Sequence, residues 1–183
     1  MNPQTPNTSQ AYRSTWPSED FLREVMPVFW QNSRFADYPT MPRLQAQVLA
    51  RREMLAQVSK KEKVDLERLL WAHALVSTRA IGASIDACAL IPGVDLANHG
   101  PEPNADLTVA GLPGLRSGRA TVVGHGKIWE HGSAGLVTRR PLAAGEAVRI
   151  SYGKYPNQRF LLDYGFSLGE ANPRGDEEKV DLA

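Results

Sequence analysis

The chain of 183 residues has little cysteine, almost no net charge and no long apolar run. Each absence removes a class of function. A single cysteine, Cys88, can form neither an intrachain disulfide nor a cysteine zinc cluster. It stands in the apolar run DACALI, the setting of a buried, inert thiol, and so fits a reducing, intracellular compartment. A net charge of +1 gives no electrostatic case for nucleic acid or an anionic membrane. No apolar run approaches the roughly 20 residues that span a bilayer. The opening MNPQTPNTSQAYRSTWPS lacks the apolar core of a secretory signal. No phosphate-loop pattern occurs, neither GxxxxGK[ST] nor GxGxxG, and there is no HExxH.

The composition itself, 42% hydrophobic and 22% charged, is that of a soluble globular protein of one domain. Residues 1–17 read as a flexible lead. Ser18 is placed to cap a helix in EDFLREVMPVFW, which Pro27 should kink or shorten. A loop, QNSRFADYPTMP, precedes helical patterning from residue 43 to 58. Ser59 and Glu62 form the S-x-x-E pattern of a capping box, which predicts the next helix start there. Leu66, Leu69, Leu70, His73, Ala74 and Ser77 then share one face, with His73 read as a packed or partly exposed helix histidine. Residues 18–81 thus form a helical region. From residue 82 to 166 the apolar runs shorten, and Gly and Pro punctuate them. ACALI, ADLTVA, RATVVG, AGLVTR and AVRISYG read as strands of about five residues. Ala144-Gly145 reads as a turn, residues 157–166 as a last helix, and residues 167–183 as a polar tail. Helices do not alternate with the strands, so the expected class is α+β rather than a doubly wound sheet.

Four histidines are present: His73, His99, His125 and His131. None forms a tight ligand pair, and no metal site is expected. Cys88 and His99 are near in sequence but lack the surroundings of a nucleophile and its base. Two polar clusters remain. In VDLANHG, Asp95, Asn98 and His99 crowd the end of an apolar run. In ISYGKYPNQRFLLDYGFSL, Tyr152 stands at a strand end beside Gly153, and Asp163-Tyr164 near a helix end.

Three blocks, in order, resemble SET-domain methyltransferases, most closely the class of the Rubisco large-subunit lysine methyltransferases. They are WAHALVSTRAI (71–81), LIPGVDLANHGPEPNA (90–105) and AAGEAVRISYGKYPNQRFLLDYGF (143–166). Thr78 stands where the family usually has Ser. The resemblance implies short curved β-sheets with a pseudoknot, preceded by a helical insert region, and S-adenosyl-L-methionine as cofactor. It implies a lysine side chain of a protein, outside the histones, as acceptor. Arg79, Asp95, Asn98, His99 and Tyr164 would then lie on the cofactor, and Tyr152 would be the catalytic tyrosine. Methyl transfer needs alignment of nitrogen, methyl and sulfur rather than a metal. The resemblance does not reach the family's glycine-containing N-terminal strand block: residues 1–40 contain no glycine. The family's C-terminal helical domain also has no counterpart. An inactive SET-derived binding module, or a truncated fragment, is therefore the alternative expectation.

Overall fold

The computed structural model describes residues 8–84, 87–110 and 133–176. The chain divides into two compact units: residues 79–153, and a helical unit written in two pieces, 1–78 and 154–183. The expected strand RATVVG, His125 and His131 lie outside the described residues, as does the side chain of Cys88.

The helical unit contains α1 (Thr8–Arg13), α2 (Glu19–Val25), α3 (Leu44–Glu62), most of α4 (Leu66–Arg79) and α5 (Asn157–Tyr164). Ser18 caps α2 as its sequence predicts: its Oγ accepts the Phe21 N–H at 3.2 Å. Glu19 and Asp20 in the first turn suit the positive end of the helix dipole. Pro27 ends α2 and starts a 3-10 turn, Pro27–Phe29. The Pro27 carbonyl accepts the Trp30 N–H within that turn at 3.1 Å. Arg52 on α3 donates to the carbonyls of Val28 at 2.7 Å and Trp30, and also reaches that of Pro27 at 3.4 Å.

Ser59 is not a helix start. α3 runs through it to Glu62, and Ser59 Oγ donates to the Val64 carbonyl at 2.6 Å. Lys63 in the left-handed region (φ 54°) ends the helix. Asp65 caps α4 instead, accepting the Arg68 N–H at 2.9 Å. The run MLAQVSKKEK holds no breaker, so helix propagation carries α3 through the serine.

Two apolar clusters hold this unit. Leu22, Met26, Val28, Leu55, Leu70, Ala74 and Leu75 form one, with Trp16 and Trp71 packed against it. Each such leucine contributes about 1.5–3 kcal/mol by leaving water. Trp30, Phe35, Met41, Leu44 and Val48 form the other, which Leu161 of α5 completes. Polar ties join α3 to α5: Gln158 Nε2 donates to Gln47 Oε1 at 2.8 Å, and Arg51 meets Asp163 at 2.8 Å. Gly165 ends α5 at φ 77°, its N–H bonded to the Leu161 carbonyl. A Cβ there would meet Met26 Sδ and Val25 Cγ2, each at 3.0 Å. Glycine thus serves both the cap and a close approach.

The second unit is built of two-stranded sheets. β1 (Ile81–Ser84) pairs antiparallel with β2 (Ala87–Ala89), with a register shift between Gly82 and Ser84. β4 (Ala105–Ala110) pairs antiparallel with β5 (Ser133–Thr138) over six residue pairs. β3 (Asn98–His99) pairs parallel with β6 (Arg149–Ile150), Asn98 opposite Arg149 and His99 opposite Ile150. Ala97, Ala105 and Ile150 form the core, with Leu136, Val148 and Tyr152 against it. The observed class is α+β, helices beside small sheets. Among the described residues no helix is long and apolar enough to cross a membrane.

Candidate functional site

Tyr152 of the second unit is tied to the three-residue segment 97–99. That segment follows a 3-10 turn, Val94–Leu96, that Gly93 enters at φ 87°. The turn carries Asp95 inward, and its side chain is fully buried. Arg79, the last residue of α4, brings its Nη1 to 3.5 Å from Asp95 Oδ2. That separation exceeds a hydrogen-bonded pair and is a coulombic contact.

Tyr152 follows the end of β6 and is tied to the segment at two points. Its N–H donates to His99 Nδ1 at 3.1 Å. Its hydroxyl donates to the Ala97 carbonyl at 3.0 Å. The imidazole and phenol rings lie 5.4 Å apart, tilted by 47°. Burial raises the Tyr152 pKa above that of a free phenol, and the Arg79 charge partly opposes it. The phenol is therefore neutral at pH 7. Burial lowers the His99 pKa, which keeps its imidazole neutral as well.

Arg79, Asp95, His99 and Tyr152 are thus brought together. Asn98 stands beside them on β3, exposed and in register with Arg149. Tyr164 belongs to the helical unit, where its ring meets Phe160 and Phe166 at 6.1 Å each.

Sequence reasoning passed over Asn104. This buried residue holds the segment's surroundings in place. Its side chain accepts the Arg149 N–H at 2.8 Å and donates to the Ala147 carbonyl at 2.9 Å. The amide therefore stands in for a peptide group of a neighbouring strand. An Asn between Pro103 and the start of β4 is the signal that was there to be found. Gly100 is required nearby for space: its N–H reaches the Ile150 carbonyl at 3.0 Å, and a Cβ would lie 2.9 Å from Arg149 Cδ.

A guanidinium fork suits a carboxylate, and here Arg79 faces that of Asp95, while the Tyr152 hydroxyl meets the Ala97 carbonyl. Among the described residues no three His, Cys, Asp or Glu side chains converge as a metal site.

No family model matches the chain. It is 31% identical over 107 residues to SET domain-containing protein 4 of Mus musculus, covering 53% of this chain and 20% of that protein. It is 32% identical over 108 residues to SET domain-containing protein 4 of Homo sapiens, covering 54% of this chain and 20% of that protein. The chain spans about a fifth of the length of these curated relatives. The likeness to these relatives supports SET-domain membership.

Proposed function

We propose that the chain belongs to a SET-type protein-lysine N-methyltransferase that uses S-adenosyl-L-methionine, of the Rubisco-methyltransferase-like class and with a substrate outside the histones. One observation carries this reading: Arg79, Asp95 and Tyr152 converge on the segment that holds Asn98 and His99. The parallel pairing of β3 with β6 supports a SET-like, pseudoknotted core around them. Arg79 would hold the cofactor's carboxylate, Asp95 its ammonium, and Asn98 and His99 the flank of the site. The cofactor supplies an activated methyl group on a sulfonium.

The chain's own residues do the rest. Tyr152 presents a neutral hydroxyl whose oxygen, beside the Ala97 carbonyl, faces developing positive charge. A lysine amine entering there must be uncharged to attack, and its free pKa is about 10.4. A water-poor site with the Arg79 cation beside it favours the neutral amine. Alignment of acceptor and donor in such a site supplies up to about 7–11 kcal/mol.

A second reading is a SET-derived binding module without transferase activity. It is favoured by the Arg79–Asp95 contact, in which each charge already faces the other. Calorimetric titration of the chain with S-adenosyl-L-methionine separates the two. Binding that Arg79→Ala weakens by about 10-fold or more supports the enzyme, that being the scale of one charge-assisted bond. Absence of binding to the unaltered chain removes the transferase reading for this polypeptide. Tyr152→Phe, which keeps the ring and loses the hydroxyl, should retain cofactor binding and lose labelled methyl transfer to protein lysine.

A further inference from the structure

The parallel ladder of β3 and β6 stops after the Gly100 N–H meets the Ile150 carbonyl. The next donor on the other strand, the Tyr152 N–H, meets a side chain instead: His99 Nδ1, at 3.1 Å. A backbone N–H only donates, so Nδ1 must be an unprotonated acceptor. The ring proton sits on Nε2, and His99 is the neutral Nε2–H tautomer.

Tyr152 is thereby fixed at both ends to one short stretch of chain. Its backbone is held by His99, and its hydroxyl by Ala97, two residues earlier. The imidazole also packs against the phenol ring. A shift of the Tyr152 backbone away from His99 carries the hydroxyl with it.

We propose that His99 is a positioning residue: its unprotonated Nδ1 holds the Tyr152 backbone, and so sets the tyrosine hydroxyl over the Ala97 carbonyl. This rests on the reading of Tyr152 as the catalytic tyrosine. Protonation at Nδ1 sets donor against donor and releases the hold. The charged groups that act on the pair are Arg79 from α4 and Asp95 from the turn before β3, both felt at Tyr152. Burial favours the neutral ring of His99.

The test uses the full chain labelled with 15N. At about pH 7.5, above the usual histidine pKa, the His99 ring should show a pyridine-type Nδ1 and a protonated Nε2. On acidification the Tyr152 amide signal should move together with the His99 ring. A protonated Nδ1 at neutral pH overturns the proposal. His99→Asn leaves a side-chain oxygen near the place of Nδ1 that does not titrate. His99→Leu leaves bulk and no acceptor. His99→Leu should lower kcat by about 100-fold, the scale of a 1 Å misplacement. His99→Asn should retain most of kcat, and its ratio to the unaltered chain should rise as pH falls. Equal losses in the two variants at every pH overturn the proposal. A chain with the expected tautomer and coupled titration, but no methyl transfer, counts for the positioning role and against the methyltransferase reading.

Discussion

Asn104 and Arg149 exchange two hydrogen bonds: the Asn104 N–H donates to the Arg149 carbonyl at 3.0 Å, and the Arg149 N–H donates to Asn104 Oδ1 at 2.8 Å. The same side chain reaches the Ala147 carbonyl. Asn104→Ala strands a donor and an acceptor together. We predict a loss of about 2–3 kcal/mol, since each unmet group costs about 1–3 kcal/mol. Asn104→Asp should recover little. It keeps the acceptor, loses the donor and sets a carboxylate near Glu146, now 3.2 Å away. Urea midpoints measure both, and a change below about 0.5 kcal/mol, the range of ordinary surface substitutions, would refute the role.

Asp95 and Arg79 should behave as a coupled pair. Asp95→Leu alone leaves the nearly buried Arg79 without its carboxylate, and a loss of about 3–5 kcal/mol is expected. Arg79→Met combined with Asp95→Leu should cost clearly less than the two single changes added. A double-mutant cycle by denaturation gives the answer, and strict additivity would show that the contact has no energetic content.

Glu146 predicts an acid limb in stability. The Arg140 guanidinium, and then the Ala143 N–H, hold its pKa down from the ordinary 4.5 to about 2. A carboxyl with a depressed folded pKa stabilises fully above its unfolded value. That contribution is lost as pH falls from about 4.5 toward about 2. Unfolding followed across this window should show a steeper decline in the parent than in Glu146→Gln. Superimposable profiles would refute the assignment.

Gly165→Ala tests the end of α5. The alanine must adopt φ 77° and place a methyl 3.0 Å from Met26 Sδ and Val25 Cγ2. Strain and crowding together should cost about 2 kcal/mol or more. Calorimetric melting reads the change, and an unchanged Tm would mean that the helix end relaxes freely.

Local signals in the sequence read well where local forces decide. Ser18 capped α2, Pro27 ended it, and ADLTVA and AGLVTR became β4 and β5. The last helix starts at Asn157 as expected and ends at Tyr164, two residues short, because Gly165 turns left-handed. Ser59 misled because a capping pattern inside a continuous helix former is just helix. AVRISYG promised a longer strand than the two residues of β6. Beyond Ile150 the partners are the side chain of His99 and the carbonyl of Ala97, which no alternation of apolar residues can announce. The candidate site follows the same rule. Asp95, His99 and Tyr152 stood out as polar residues at the ends of apolar runs. Their coupling did not, because His99 and Tyr152 are 53 positions apart and carry no shared period.

Leu161 closes a cluster whose other members lie between Trp30 and Val48. All of residues 79–153 must leave the ribosome before it arrives. This cluster, made of segments that precede residues 79–153, therefore closes only when α5 arrives. Until α5 emerges, Trp30, Phe35, Leu44 and Val48 keep an open apolar face. That interval leaves this face open to chaperone shielding, and makes loop closure across the intervening residues a step that its burial waits upon.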